Sequence, residues 1–241
     1  MREYDSFCYT NKGGREYNQD AVGVNRFSTG SVFVVADGLG GHLHGELASE
    51  IVCKTLLSEA PPKEDSARWL QERIVEANER LLELQREYGC NMKSTVVALL
   101  LQDGQAHWGH VGDSRLYYLH RGELVFCTED HSVAYKKYKA GEIRRDQIGQ
   151  DEDQSQLLRA LGNRDRGYAD FYSGELSLEP GDGFLLCSDG VWEYLRDGEI
   201  LADLLKADTA RDWGELLLLR VMERIGNDND NLSFITVFFP E

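Results

Sequence analysis

The chain has 241 residues, 41% of them apolar, which is enough to fill a sizeable core; no Pro- or Ser-rich linker divides it, so a single domain over 1–241 is expected. Its 26 basic and 42 acidic residues leave a formal charge of −16, which repels phosphate backbones, excludes a nucleic-acid partner and suits a cation-binding protein. No apolar run approaches the roughly 20 residues that span a bilayer, and the N-terminus lacks the apolar stretch of a signal peptide, so a cytoplasmic protein without a membrane partner is expected.

Residues 6–11 and 21–26 read as short strands around a polar turn that carries Arg15, Gln19 and Asp20. Val32, Phe33, Val34 and Val35 form a buried strand that runs into Asp37 and then Gly38, Gly40 and Gly41, where glycines permit positive φ and close approach of backbone to an ion or phosphate. Helical spacing follows over 46–57, ended by Pro61 and Pro62, and again over 67–88, where Trp69, Leu70, Ile74, Ala77 and Leu81 share a face and Gly89 stands at the C-cap position. From Ser94 the period becomes that of strands, over 95–101, 105–110, 116–120 and 124–127, separated by tight turns as in an antiparallel meander. The polar stretch 129–156, with few core-forming positions beyond Val133, Tyr135, Tyr138, Ile143 and Ile148, reads as a partly helical, mobile surface excursion. Strands at 169–178 and 183–187 follow, then helices at 197–206 and 210–225, and a last strand at 232–239. Two antiparallel sheets packed face to face, with a helix pair on each outer side, would bury these faces: an α+β, four-layer αββα sandwich.

Five cysteines, an odd number with no Cys-x-x-Cys pair, read as buried free thiols, and the histidines lack zinc-site spacing. His44, His107 and His120 read as surface or sheet residues, His131 as a loop-ordering residue, and Trp69, Trp108, Trp192 and Trp213 as core.

The chemistry is carried by Asp20, Asp37, Asp113, Asp189 and Asp230, each at the junction of a turn with a strand. One such Asp is a turn former; five brought together cannot all stay ionised without compensation, and hard cations such as Mg²⁺ or Mn²⁺ provide it through oxygen ligands. Two such ions about 4 Å apart lower the pKa of a water between them and clamp a phosphoryl group, which supports phosphoester hydrolysis without a covalent enzyme intermediate.

Seven stretches, in order, resemble the motifs of the metal-dependent PP2C (PPM) protein phosphatases in their small bacterial form. They are Arg15-Glu16-Tyr17-Asn18-Gln19-Asp20, Val35-Ala36-Asp37-Gly38-Leu39-Gly40-Gly41-His42, Gly109-His110-Val111-Gly112-Asp113-Ser114-Arg115, Thr128-Glu129-Asp130-His131-Ser132, Arg159-Ala160-Leu161-Gly162, Cys187-Ser188-Asp189-Gly190 and Asp230-Asn231-Leu232-Ser233. The resemblance implies that Asp37 bridges two metals with the Gly38 carbonyl on one of them, that Asp189 and Asp230 complete the other, and that Asp20 holds metal-bound water. It further implies Arg15 as the phosphate grip, Asp113 as a ligand of a weaker third metal, and His42 as an aid to proton transfer. The expected cofactors are Mn²⁺ or Mg²⁺, the expected partners phosphorylated proteins and an opposing Ser/Thr kinase, and the expected state a monomer; 129–156 would be the family's flap. The chain departs from the family pattern at Gln19, at Trp192-Glu193 where Trp-Asp is usual, and in the acidic run 150–156. Two alternatives stand beside this reading: a phosphoprotein-binding pseudophosphatase without turnover, whose mark would be a lost metal carboxylate, and a two-metal phosphoesterase for a small molecule.

Overall fold

The computed structural model describes residues 3–39, 43–164, 168–176 and 178–240. Its first sheet has the strand order β1-β11-β10-β7-β8, built from β1 (Asp5–Asn11), β7 (Arg115–His120), β8 (Glu123–Cys127), β10 (Gly183–Cys187) and β11 (Leu232–Phe238). The second has the order β2-β3-β5-β6-β9, from β2 (Asp20–Phe27), β3 (Gly30–Leu39), β5 (Val96–Gln102), β6 (Gln105–Val111) and β9 (Asp170–Glu175), with the short β4 (Lys93–Ser94) on the end of β3. Every pairing is antiparallel.

Strands here read as continuous apolar runs because both faces of each sheet are covered. In β5 alternate residues part company: Val97, Leu99 and Leu101 enter the core between the sheets, while Val96, Ala98 and Leu100 meet the helices α1 (Leu43–Leu57) and α2 (Ser66–Tyr88). In β10, Phe184 and Leu186 point inward, whereas Leu185 and Cys187 pack under α5 (Asp197–Leu204) and α6 (Ala210–Arg224). The αββα sandwich therefore has three apolar layers. Gly23 on β2 lets α1 close down, since a Cβ there would lie 2.4 Å from Leu57 Cδ1 and 3.0 Å from Cys53 Sγ.

The structure corrects the sequence reading in four places. The stretch 129–156 is partly helical, as expected, but docked on the core and not a surface excursion: α3 (Val133–Lys139) and a 3₁₀ turn (Arg145–Gln150) bury Ala134, Tyr135 and Ile148 beneath α5 and α6. Part of its acidic run is engaged internally, Asp151 and Asp153 holding Lys137 Nζ at 2.8 and 2.7 Å. A four-residue helix, α4 (Asp189–Trp192), follows β10, too short to leave a periodic pattern. The strand expected at 169–178 is confined to β9, and Cys8 is exposed whereas Cys53 and Cys187 are buried. All five thiols are free, and among the described residues no helix is long and apolar enough to cross a membrane.

Because Leu99 is fully buried between two sheets that cannot both close inward, Leu99→Ala is expected to destabilise the protein by about 2–5 kcal/mol. Urea unfolding followed by circular dichroism measures this.

Candidate metal and phosphate site

The topology brings the aspartates to one end of the sandwich. Pairing of β2 with β3 sets Asp20 opposite Asp37, and Asp113 lies in the turn where the chain crosses from β6 in one sheet to β7 in the other. Cys187 at the end of β10 pairs with Arg115 at the start of β7, so Asp189 emerges beside that crossing. Asp230 precedes β11, the other neighbour of β10. Arg15, Asp37, Gly38, Asp113, Asp189 and Asp230 line one cavity of about 410 Å³. Asp20 is buried just behind it, its Oδ2 accepting a bond from Ser188 Oγ at 2.9 Å. Gly40, Gly41 and His42 fall outside the described residues.

Asp37 is fixed through its backbone, Asp189 and Asp230 through their side chains. The Asp37 N–H donates to Thr95 Oγ1 at 3.0 Å, and its carbonyl accepts from Thr95 N–H at 2.8 Å and Ser94 Oγ at 3.0 Å. Gly38 admits no side chain, because a Cβ would lie 1.9 Å from the Gly45 carbonyl oxygen. Asp189 Oδ1 accepts the Gly190 N–H at 2.7 Å, and Asp230 Oδ1 the Asn231 N–H at 2.8 Å. The Asn231 side chain ties three segments together: its Oδ1 accepts from Gln19 N–H at 2.8 Å, and its Nδ2 donates to the carbonyls of Lys12 and Tyr17 at 2.8 and 3.0 Å. Arg15 grips Asp230 with both arms, Nε to Oδ1 at 3.1 Å and Nη2 to Oδ2 at 2.9 Å.

Burial and mutual repulsion hold these acids far from their ordinary range. Burial pushes Asp20 up to about 6, and burial together with the charges of Asp230 and Asp20 pushes Asp189 up to about 7. Asp37 and Asp113 are raised well above the usual carboxylate value, again by burial first and neighbouring aspartates second. Glu193, one helical turn after Asp189, is pushed to about 8 by burial and by Asp189 and Asp230, and its Oε1 is buried without a hydrogen-bond partner. An oxygen-only donor set carrying this much uncompensated charge fits hard divalent cations such as Mg²⁺ and Mn²⁺.

A second cluster, His110, His131 and Asp170, has ligand atoms within 4.8 Å of one another but is not built for a metal. His131 Nδ1 accepts the Gly112 N–H at 3.1 Å, which leaves the proton on Nε2, directed at Asp170 Oδ2 at 3.1 Å. Burial lowers His131 to about 4, so the ring stays neutral, and Arg159 Nη1 fills the remaining space with a 2.7 Å bond to Asp170 Oδ1. The cluster orders its loop, the role expected of His131.

Sequence reasoning missed Ser188, Asn231, Ser94 and Thr95 as supports of the carboxylates. Their one signal was adjacency, Ser188 before Asp189 and Asn231 after Asp230.

An acidic, oxygen-lined cavity with an arginine at its mouth, at one end of an αββα sandwich, defines a metal-dependent phosphoester hydrolase. Residues 11–217 match the protein phosphatase 2C family, and the chain belongs to it. It is 31% identical over 237 residues to the serine/threonine phosphatase stp of Listeria innocua, covering 94% of this chain and 91% of the relative. To protein phosphatase PhpP of Streptococcus pneumoniae it is 30% identical over 232 residues, covering 92% and 91%. Among solved structures, a bacterial serine phosphatase superposes with a TM-score of 0.87 at 27% identity, covering 98% of each chain. Stp1 of Staphylococcus aureus does so with a TM-score of 0.86 at 28% identity, covering 100% and 96%.

An acid whose native pKa lies above its unfolded value of about 4 stabilises the fold below that value and loses the contribution as pH rises through the native one. For Asp189 the window runs from about 4 to about 7. In chelator, Tm of the wild type is expected to fall between pH 5 and pH 8, Asp189→Asn to be the more stable protein at pH 8, and Mn²⁺ to restore the wild type. Differential scanning calorimetry at several pH values checks this.

Proposed function

We propose that this enzyme hydrolyses phosphoserine and phosphothreonine in proteins at the aspartate-lined cavity, with two Mn²⁺ or Mg²⁺ ions and a weaker third. The observation that carries the reading is the convergence of Asp37, Asp113, Asp189, Asp230 and Arg15 on one cavity. Asp37 and the Gly38 carbonyl would hold the cation pair, Asp189 and Asp230 would complete one of its sites, and Asp113 would serve the outer cation. When bound, the cations supply a water of lowered pKa and neutralise phosphoryl charge. Asp20, behind the cavity and held by Ser188, orders the solvent of the site.

Arg15 takes the phosphate. Its planar fork already bonds a carboxylate bidentately at the cavity mouth, and the same geometry accepts two phosphoryl oxygens once Asp230 is engaged elsewhere. His42 is the proposed aid to proton transfer. The bonds that hold Asp20, Asp37, Asp189 and Asp230, all carboxylates retained, speak against a pseudophosphatase. The apolar layers shared by residues from both halves of the chain support one catalytic domain over 1–241. A cytoplasmic monomer acting against a Ser/Thr kinase on phosphorylated proteins, with no nucleic-acid partner, completes the proposal; the charge of −16 supports its last element.

Hydrolysis of a phosphothreonine peptide is expected to require added Mn²⁺ or Mg²⁺ and to vanish in excess EDTA; activity retained in EDTA refutes the metal reading. Asp37→Asn is expected to lower kcat by more than about a hundredfold in a folded protein, since a neutral amide is a poor cation ligand. Arg15→Ala is expected to raise KM by about tenfold with a smaller change in kcat, because the phosphate charge is present before the transition state as well as in it. Steady-state kinetics separate these outcomes.

A further inference from the structure

Asp113 is held by a residue that the sequence assigns to the core. Its backbone carbonyl accepts the indole N–H of Trp192, Nε1 to O at 2.9 Å. Trp192 closes α4, the short helix that opens with Asp189. One indole therefore connects the turn that bears Asp113 to the helix that bears Asp189, and both carboxylates line the same cavity.

The indole is itself clamped. The Arg115 guanidinium lies 3.5 Å from the Trp192 ring centroid, and it is fixed there by two bonds to Asp130, Nε to Oδ1 at 2.8 Å and Nη2 to Oδ2 at 2.6 Å. A third bond, at 3.1 Å, runs from Nη1 to Tyr117 Oη. Arg115 and Asp130 are each only 5% exposed. A buried ion pair costs several kcal/mol per ion in lost hydration, and apolar residues of the same volume pack as well without that penalty. What the pair supplies is orientation: a bidentate guanidinium cannot rotate, so the ring stacked on it cannot tilt, and the N–H keeps its direction. Trp192 is itself only 4% exposed, and with Arg115 it also lines a second cavity of about 900 Å³ between α4 and the 3₁₀ turn of the flap.

We propose that Trp192 is a positioning residue for Asp113, its N–H, aimed by the Arg115–Asp130 pair, setting the separation of Asp113 from Asp189 across the cavity. The inference rests on the reading that these two carboxylates face the cations. Its consequence concerns the outer, weakly held cation, for which a small displacement of Asp113 removes a ligand, whereas the cation pair on Asp37, Asp189 and Asp230 keeps its own, because the indole bonds the Asp113 carbonyl while Asp189 is held by the Gly190 N–H.

Trp192→Phe retains a ring for Arg115 and removes the N–H. Three measurements test it: calorimetric titration with Mn²⁺, thermal unfolding in chelator, and kinetics on a phosphothreonine peptide. The expected result is cooperative unfolding within a few degrees of wild type and two tight Mn²⁺ sites intact. The weak site is expected to lose about tenfold in affinity, with kcat lowered about tenfold, KM within about twofold, and partial recovery of kcat in excess Mn²⁺. Arg115→Lys, which keeps the charge and loses the fork, is expected to move the same quantities in the same direction. A folded Trp192→Phe protein with unchanged weak-site affinity and kcat overturns the proposal. If that variant fails to fold, 3-benzothienylalanine placed at 192, with sulfur in place of N–H and the same shape, answers the same question. Asp113→Ala runs in parallel: if it abolishes the weak site while Trp192→Phe does not, the positioning role alone is wrong, and if it leaves the weak site intact, the assignment of Asp113 falls with it.

Discussion

Four aspartates, Asp37, Asp113, Asp189 and Asp230, share a cavity in which, among the described lining residues, Arg15 is the one cation. Like charges this close repel, and burial denies them the water that would screen the repulsion, so the raised pKa values of Asp20, Asp37, Asp113 and Asp189 measure a stress on the native state. A fold can carry that stress only if the elements bearing the charges cannot drift apart. Here they cannot. The carboxylates stand at or beside the ends of strands packed in the sandwich, and the loops between them are laced by Asn231, Ser188, Thr95 and Ser94, each bonding across more than forty positions of chain or directly to an aspartate backbone. Affinity for divalent cations follows from this rigidity, because preorganised repulsion is relieved when positive charge enters.

The two ends of the sandwich illustrate how differently buried charge can be handled. Arg115 and Asp130 neutralise one another, and His120 with Asp182, at the other end of β7, form a pair in which the carboxylate is almost fully buried. Asp130 is met by a guanidinium and Asp182 by His120 Nδ1 and the N–H groups of Arg121 and Glu179, so each buried carboxylate has protein partners. Among the described lining residues the aspartate cluster has Arg15 alone as a cation for four carboxylates, and that asymmetry, rather than the number of acidic residues, separates the reactive end from a merely charged one.

Much of this was legible in the sequence, for a physical reason. A strand buried on both faces is an unbroken apolar run, so an aspartate at its end interrupts the pattern visibly, as Asp37 does after Ala36 and Asp189 does after Cys187 and Ser188. The layer order followed from the positions of the helix pairs. Less visible were interactions whose partners are remote in sequence. Asn231 in a polar turn has the same local signature whether its amide faces water or joins Gln19, Lys12 and Tyr17. Trp192 counts as apolar in any periodicity, which conceals the direction of its single N–H. The docking of the flap was only half visible: Tyr135 and Ile148 read as core-forming positions, but they and Ala134 are scattered through polar residues, and α4 spans only four residues.

The pairing of Asp20 with Asp37 also bears on how such a chain can change over evolutionary time. Strand side chains alternate faces, so inserting or deleting one residue in the turn at Ser28 and Thr29 would slip β2 against β3 and turn one of the two carboxylates away from its partner. The same holds for β6, β10 and β11, whose ends deliver Asp113, Asp189 and Asp230. Length variation is therefore restricted in the short turns that join these paired strands and is confined to segments that leave strand register alone, such as the stretch between β8 and β9. Descendants of this sequence can acquire new recognition surfaces there by insertion while the catalytic end remains, residue for residue, the same length.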